Sequence, residues 1–162
     1  MSSKDRTSTR VSDAMRALPR DHFIEMSDPS VVMGRSIPPT NAVAEILDHA
    51  NVQPDHRVLQ IGTGAGYLPA LLSRLASQVV TIEINPSLAR FAQGRFNKLG
   101  LANLILRQQD GSEGAPDLGP FDRILVSSPR IRNTQALLKQ LASNGLLIAI
   151  EEEENDAHIH TR

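Results

Sequence analysis

The sequence contains no cysteine, which excludes disulfides, thiol nucleophiles and cysteine metal sites. It also lacks an excess of either charge: 17 Lys and Arg stand against 18 Asp and Glu, for a formal net charge of -1. No global field therefore draws the chain to nucleic acid or to an anionic membrane, and neither partner is expected. No apolar run approaches the roughly 20 residues of a membrane span. The opening MSSKDRTSTR has none of the apolar core of a signal peptide, so a cytoplasmic location is the expectation. Internal repeats and low-complexity linkers are absent as well. What remains is a chain of 162 residues with 40% hydrophobic residues, long enough for one compact core and short for two.

Residues 1–10 are polar and are expected to be disordered. Val11, Met15, Leu18 and Phe23 follow near helical spacing, and Pro19 should end the regular helix around Leu18. In MGRSIPPT the paired Pro38 and Pro39 force an extended connection. Asn41 is placed to cap a helix carrying Val43, Ile46 and Leu47 on one face, which NVQPD then breaks.

From Arg57 onward short apolar runs alternate with segments of helical period, the pattern of a parallel α/β sheet. Strands are predicted at RVLQI, VVTIEI, NLILRQ, RILVSS and LLIAI, with helices at 68–76, 86–99 and 134–142 between them. Asn85, Pro86 and Gly100 punctuate the second of these helices, and Asn144 with Gly145 is read as the exit of the third. The expected domain is 11–150, a doubly wound, Rossmann-like sheet of five parallel strands with helices on both faces. Residues 151–162, EEEENDAHIHTR, read as a solvated acidic tail, and His158 and His160 two apart in it do not make a metal site.

The chemistry concentrates in VLQIGTGAGYLPALL, where Gly62, Gly64 and Gly66 stand between a strand and a helix. Glycines there let the backbone turn tightly and approach a ligand, and the following helix N-terminus favours an anionic group. The spacing differs from the G-x-G-x-x-G of dinucleotide folds, and no lysine follows, so a P-loop is excluded. Glu83 ends the second strand about 20 residues on, where a carboxylate accepts bonds from both hydroxyls of a ribose. Asp110, at the end of the third strand, suits either an adenine amino group or ordinary Asp-Gly turn chemistry. These three elements at successive carboxyl edges leave a choice between a dinucleotide and S-adenosylmethionine.

The ordered set RVLQIGTGAGYLPALLSRL, VVTIEINPSLARFAQ, QDGSEGAP, FDRILVSS and LLKQLASNGLLIAI, preceded by AMRALPRDHFI and GRSIPP, resembles the class I S-adenosylmethionine-dependent methyltransferases. Within them it is most similar to the protein-L-isoaspartate O-methyltransferase family. The resemblance runs from about Val11 to Ile150 and implies a cofactor site of Gly62, Thr63, Gly64, Gly66, Glu83, Ile84, Asp110 and Gly111. It implies esterification of the free carboxylate of isoaspartyl residues in damaged proteins, the first step of their repair. Catalysis there would rest largely on alignment of the acceptor oxygen with the sulfonium methyl.

Three departures from the family pattern stand out. The acidic residue usual in the first strand is Gln60, and the active-site serine falls on Pro38, which offers neither hydroxyl nor N–H. Ser36 or Thr40 would have to supply a hydroxyl after a local shift, so no catalytic residue is assigned. The family's C-terminal antiparallel pair is also missing, which would leave the fifth strand as an open edge inviting a further domain or partner chain. The expected function is therefore methyl transfer to protein carboxylates, with an inactive cofactor-binding or interaction module of the same fold as the alternative. A nicotinamide-dependent dehydrogenase is disfavoured by the glycine spacing.

Overall fold

A computed structural model of the protein describes residues 8–24, 31–32, 35–36, 38–128, 131, 133–153 and 156–161. Its main sheet is built from β1 (Arg57–Ile61), β2 (Gln78–Glu83), β3 (Leu104–Gln108), β4 (Phe121–Val126), β5 (Leu141–Glu153) and β6 (Asp156–Thr161). The spatial order is β3-β2-β1-β4-β5-β6. The first five strands run parallel, as the apolar runs predicted, and β6 runs antiparallel to β5. Among the described residues the α-helices that accompany them are α1 (Thr9–Ala17), α2 (Thr40–Ala50), α3 (Tyr67–Leu75), α4 (Pro86–Leu99) and the single turn α5 (Gln135–Leu138).

Alternation along each strand divides the core into two layers. Val58 and Val79 face a cluster with Val11, Phe23, Ile46, Leu72 and Phe96, contributed by the N-terminal segment and α1 to α4. Leu59, Ile61, Val80 and Ile82 face the opposite cluster, closed by Phe121, Ala115 and Leu137 of α5. Both faces of β1 and β2 are buried, which is why these strands read as nearly continuous apolar runs.

The punctuation of α4 is as read: Asn85 Oδ1 accepts from the Ser87 and Leu88 N–H groups, and Gly100 leaves the helix at φ +67. Elsewhere the ends differ. Residues 8–10 are not part of a disordered terminus, while residues 1–7 lie outside the described residues. Ser8 caps α1 through the Val11 N–H, and Arg10 donates to the carbonyls of Val52 (2.6 Å) and Leu75 (2.8 Å). Asn41 lies inside α2, whose N-cap is Pro39 with no side-chain cap bond.

The helix expected over 134–142 shortens to one turn because strand pairing claims its end. Phe121 pairs with Leu141, and the Phe121 N–H donates to the Gln140 carbonyl at 2.8 Å. Arg123 then pairs with Leu146, so the chain between bulges outward, with Asn144 at φ +64. Asn144 and Gly145 thus serve a bulge within β5 and not a helix exit.

The acidic tail is likewise corrected. Glu151–Glu153 continue β5, and residues 156–161 return beside it in a register from Ile148↔Thr161 to Glu153↔Asp156. A bare β5 edge would leave its outer donors and acceptors unpaired, and the chain satisfies them itself. Ile159 packs against the first core layer, and His49 Nε2 lies 2.8 Å from Thr161 Oγ1. Over residues 148–153 the outer edge of the fifth strand is therefore paired within the chain. The side chains of His158 and His160 lie outside the described residues. Among the described residues no helix is long and apolar enough to cross a membrane.

Arg123 is buried without a carboxylate. Its Nε donates to the Ala50 carbonyl at 2.5 Å and its Nη1 to the Asp122 carbonyl at 2.8 Å, a cation set at the C-terminal end of α2. Arg123→Met is expected to cost about 1–3 kcal/mol by leaving buried carbonyls unpaired. Thermal denaturation should show a fall of roughly 2–10 °C; an unchanged Tm would refute the tie.

Candidate functional site

The connections β1–α3–β2–α4–β3 run outward to one side of β1, whereas β4 and β5 lie on its other side. The loops after β1 and β4 therefore diverge, and a crevice opens at the carboxyl edge where α/β sheets take their ligands. The backbone past β4 passes close to the glycine turn: a Cβ on Gly62 (φ +93) would lie 3.3 Å from the Ser127 carbonyl carbon and the Ser128 nitrogen. Glycine is required here by both the positive φ and the approach.

The far end of the turn is fixed by packing. Gly66 caps α3 at φ +98, and a Cβ there would stand 2.8 Å from Phe96 Cε1. Tyr67 follows, buried against Phe23 with ring centroids 5.5 Å apart. Burial pushes the Tyr67 phenol above its ordinary pKa, with the Arg20 cation opposing the shift.

Glu83 is the central polar group of the site. Although only 3% exposed, its carboxylate is bonded at both oxygens, Oε1 accepting from the Gly64 N–H (3.0 Å) and Oε2 from the Asn85 N–H (2.9 Å). An ionised carboxylate offers about four acceptor positions, so capacity remains for hydroxyl donors entering the crevice. Asp110 Oδ1 accepts from the Ser112 N–H at 2.8 Å and opens a short 3₁₀ turn over Gly111–Glu113. Gly111 sits directly on Ile61, where a Cβ would collide with Cγ2.

These groups surround one pocket of about 90 Å³, lined by Gly62, Glu83, Ile84, Asp110 and Gly111 together with Ser112, Ser128 and neighbouring isoleucines. Ile84 is the one large apolar side chain exposed among the described residues. Five of the predicted site residues therefore converge. Gly64 serves through its N–H to Glu83, and Gly66 shapes the turn from behind. The Thr63 hydroxyl faces inward, 2.7 Å from Thr81 Oγ1. Ser112, Ser128 and Ile131 were missed; a signal for Ser128 existed in its place just past an apolar parallel strand.

Gln60 carries an amide that both donates and accepts. Its Nε2 donates to the Gly62 carbonyl (2.8 Å) and to Ser127 Oγ (3.3 Å), while its Oε1 accepts from the Thr81 hydroxyl (2.5 Å). The amide thus ties the glycine turn to β2 and to the end of β4, which a carboxylate without donors cannot do.

Pro38 is half-buried just before α2, and Thr40 is exposed as the first helical residue. Ser36 lies in a two-residue ribbon strand, with its side chain outside the described residues. Among the described residues no three His, Asp or Glu side chains gather as metal ligands.

The protein-L-isoaspartate(D-aspartate) O-methyltransferase family profile matches residues 2–161. The chain is 40% identical to protein-L-isoaspartate O-methyltransferase 1 of Syntrophobacter fumaroxidans over 86% of its own length and 69% of that protein. A solved protein-L-isoaspartate O-methyltransferase is 25% identical, with a TM-score of 0.79 over 89% of this chain and 51% of its own. The Plasmodium falciparum protein-L-isoaspartate O-methyltransferase, solved with S-adenosyl-L-homocysteine, shares the fold at a TM-score of 0.79 and 22% identity, covering 96% of this chain and 82% of that one.

The last two glycines of the turn should respond unequally to a methyl group. Gly66→Ala meets both a positive φ and Phe96, whereas Gly64 (φ +55) has nothing within 4 Å of its absent Cβ. Gly66→Ala is expected to lose about 1–3 kcal/mol, and Gly64→Ala less. Chemical denaturation of the two variants checks the order, and equal losses would contradict the packing role of Gly66.

Proposed function

Because the chain belongs to the protein-L-isoaspartate(D-aspartate) O-methyltransferase family, we propose that it binds S-adenosyl-L-methionine in the crevice and methylates isoaspartyl carboxylates of damaged proteins in the cytoplasm. The observation that carries the reading is the convergence of Gly62, Glu83, Ile84, Asp110 and Gly111 on one pocket at the point where the sheet connections diverge.

The residues present fit the cofactor. Glu83 has acceptor capacity for ribose hydroxyls, Ile84 offers an exposed apolar surface to a flat base, and Asp110 with Gly111 borders the same space. Gly62 lets the turn close against the backbone of Ser127 and Ser128, and Gly64 leaves the backbone bare where the methionine portion would lie. When bound, the cofactor supplies an electrophilic methyl on a positively charged sulfur. The chain's own part is to hold the acceptor carboxylate in line and keep it poorly hydrated, a contribution of positioning.

A second reading, binding without turnover, is favoured by Pro38, which puts no hydrogen-bond donor where the family pattern places its serine. The two readings separate in one assay. Methyl-tritiated S-adenosylmethionine should transfer label to an isoaspartyl peptide and not to its aspartyl counterpart. Calorimetric binding of S-adenosylhomocysteine without any transfer would leave only the second reading. Glu83→Gln puts an amide donor against the Gly64 or Asn85 N–H, and should weaken S-adenosylhomocysteine about 10- to 100-fold by calorimetry.

A further inference from the structure

The hydrogen bonds behind the glycine turn run in one direction. The Gly62 carbonyl can only accept, so the 2.8 Å contact fixes the nitrogen of the Gln60 amide on that side. Gln60 Oε1 must then take the Thr81 proton at 2.5 Å, which leaves Thr63 to donate to Thr81 Oγ1 at 2.7 Å. The second Nε2 proton goes to Ser127 Oγ at 3.3 Å. Ser127 therefore accepts from behind, and among the described residues nothing accepts its own hydroxyl proton.

Ser127 follows the end of β4 and is half-buried, its backbone against Gly62 and its neighbour Ser128 in the pocket lining. Its position is pinned by the donation of its N–H to the Ile61 carbonyl at 2.8 Å. A carboxylate in place of Gln60 would reverse the last link, because it would accept the Ser127 proton and turn it inward.

We propose that Ser127 donates its hydroxyl hydrogen bond to the carboxylate of the isoaspartyl acceptor, with Gln60 as the positioning residue that frees this proton. The proposal rests on the methyltransferase reading. One acceptor oxygen forms the new C–O bond as the S–C bond breaks, and the sulfur keeps the electron pair. Ser127 bonds the other oxygen and retains its proton, so no base is required.

The test uses the full chain with an isoaspartyl peptide, measuring peptide affinity in the presence of S-adenosylhomocysteine and kcat/KM with S-adenosylmethionine. Ser127→Ala should lower both about 10- to 100-fold, the range for a bond to a charged group, with S-adenosylhomocysteine affinity unchanged. Ser127→Thr should restore most of the loss. Gln60→Glu should reproduce the alanine defect, and the double variant should lose little more. Wild-type peptide affinity in Ser127→Ala overturns the proposal, as does a defect matched by an equal loss of S-adenosylhomocysteine binding. A wild-type protein that binds the peptide without turnover overturns the methyltransferase reading, while Ser127 is still judged by peptide affinity. No peptide binding by the wild type overturns both.

Discussion

The site depends on one buried carboxylate. Glu83 joins the Gly64 N–H to the Asn85 N–H, and thereby joins the glycine turn after β1 to the cap of α4 after β2. Neither loop has a partner as strong in the other, since bonds to an ionised acceptor are about twice those between neutral groups. The position of Glu83 follows from β2 itself, whose parallel pairing with β1 sets Glu83 just past the Ile61↔Ile82 pair. The same carboxylate that shapes the crevice also lines it.

Behind the turn lies a second, uncharged level of organisation. Thr63, Thr81, Gln60 and Ser127 span three adjacent strands and their loops, on the face opposite the Ile61 and Ile82 lining of the pocket. Apart from the Ser127 hydroxyl proton, their polar atoms are satisfied by one another and by the Gly62 carbonyl, which keeps a polar seam tolerable in an otherwise apolar sheet. Gln60 is therefore a working part of this sheet.

Much of this was legible in the sequence, for reasons that differ by element. The central strands β1, β2 and β4 announce themselves because both their faces are buried, and α4 because its caps act locally. Glu83 and the glycines were readable from spacing alone. What escaped notice depended on distant pairing: Leu141 is drawn into β5 by Phe121 against its helical surroundings, and the segment after the glutamates becomes β6 only because an open strand edge adjoins it. Ser127 was invisible for the same reason, since its role is set by an amide from another strand.

The two arginines that bind helix ends have a consequence for how the fold meets its surroundings. Arg10 and Arg123 both end on carbonyl oxygens, not carboxylates. Carbonyls do not titrate in the accessible range, and the partly enclosed bonds are little screened by dissolved ions. The exposed pairs Arg16–Asp13 and Arg107–Asp117 are of the opposite kind, with the Asp117 carboxyl held below its usual range by Arg107. The two arginine ties, from the N-terminal helix and from the sheet to the neighbourhood of α2, are thus insulated from acid and salt in a way that the surface pairs are not.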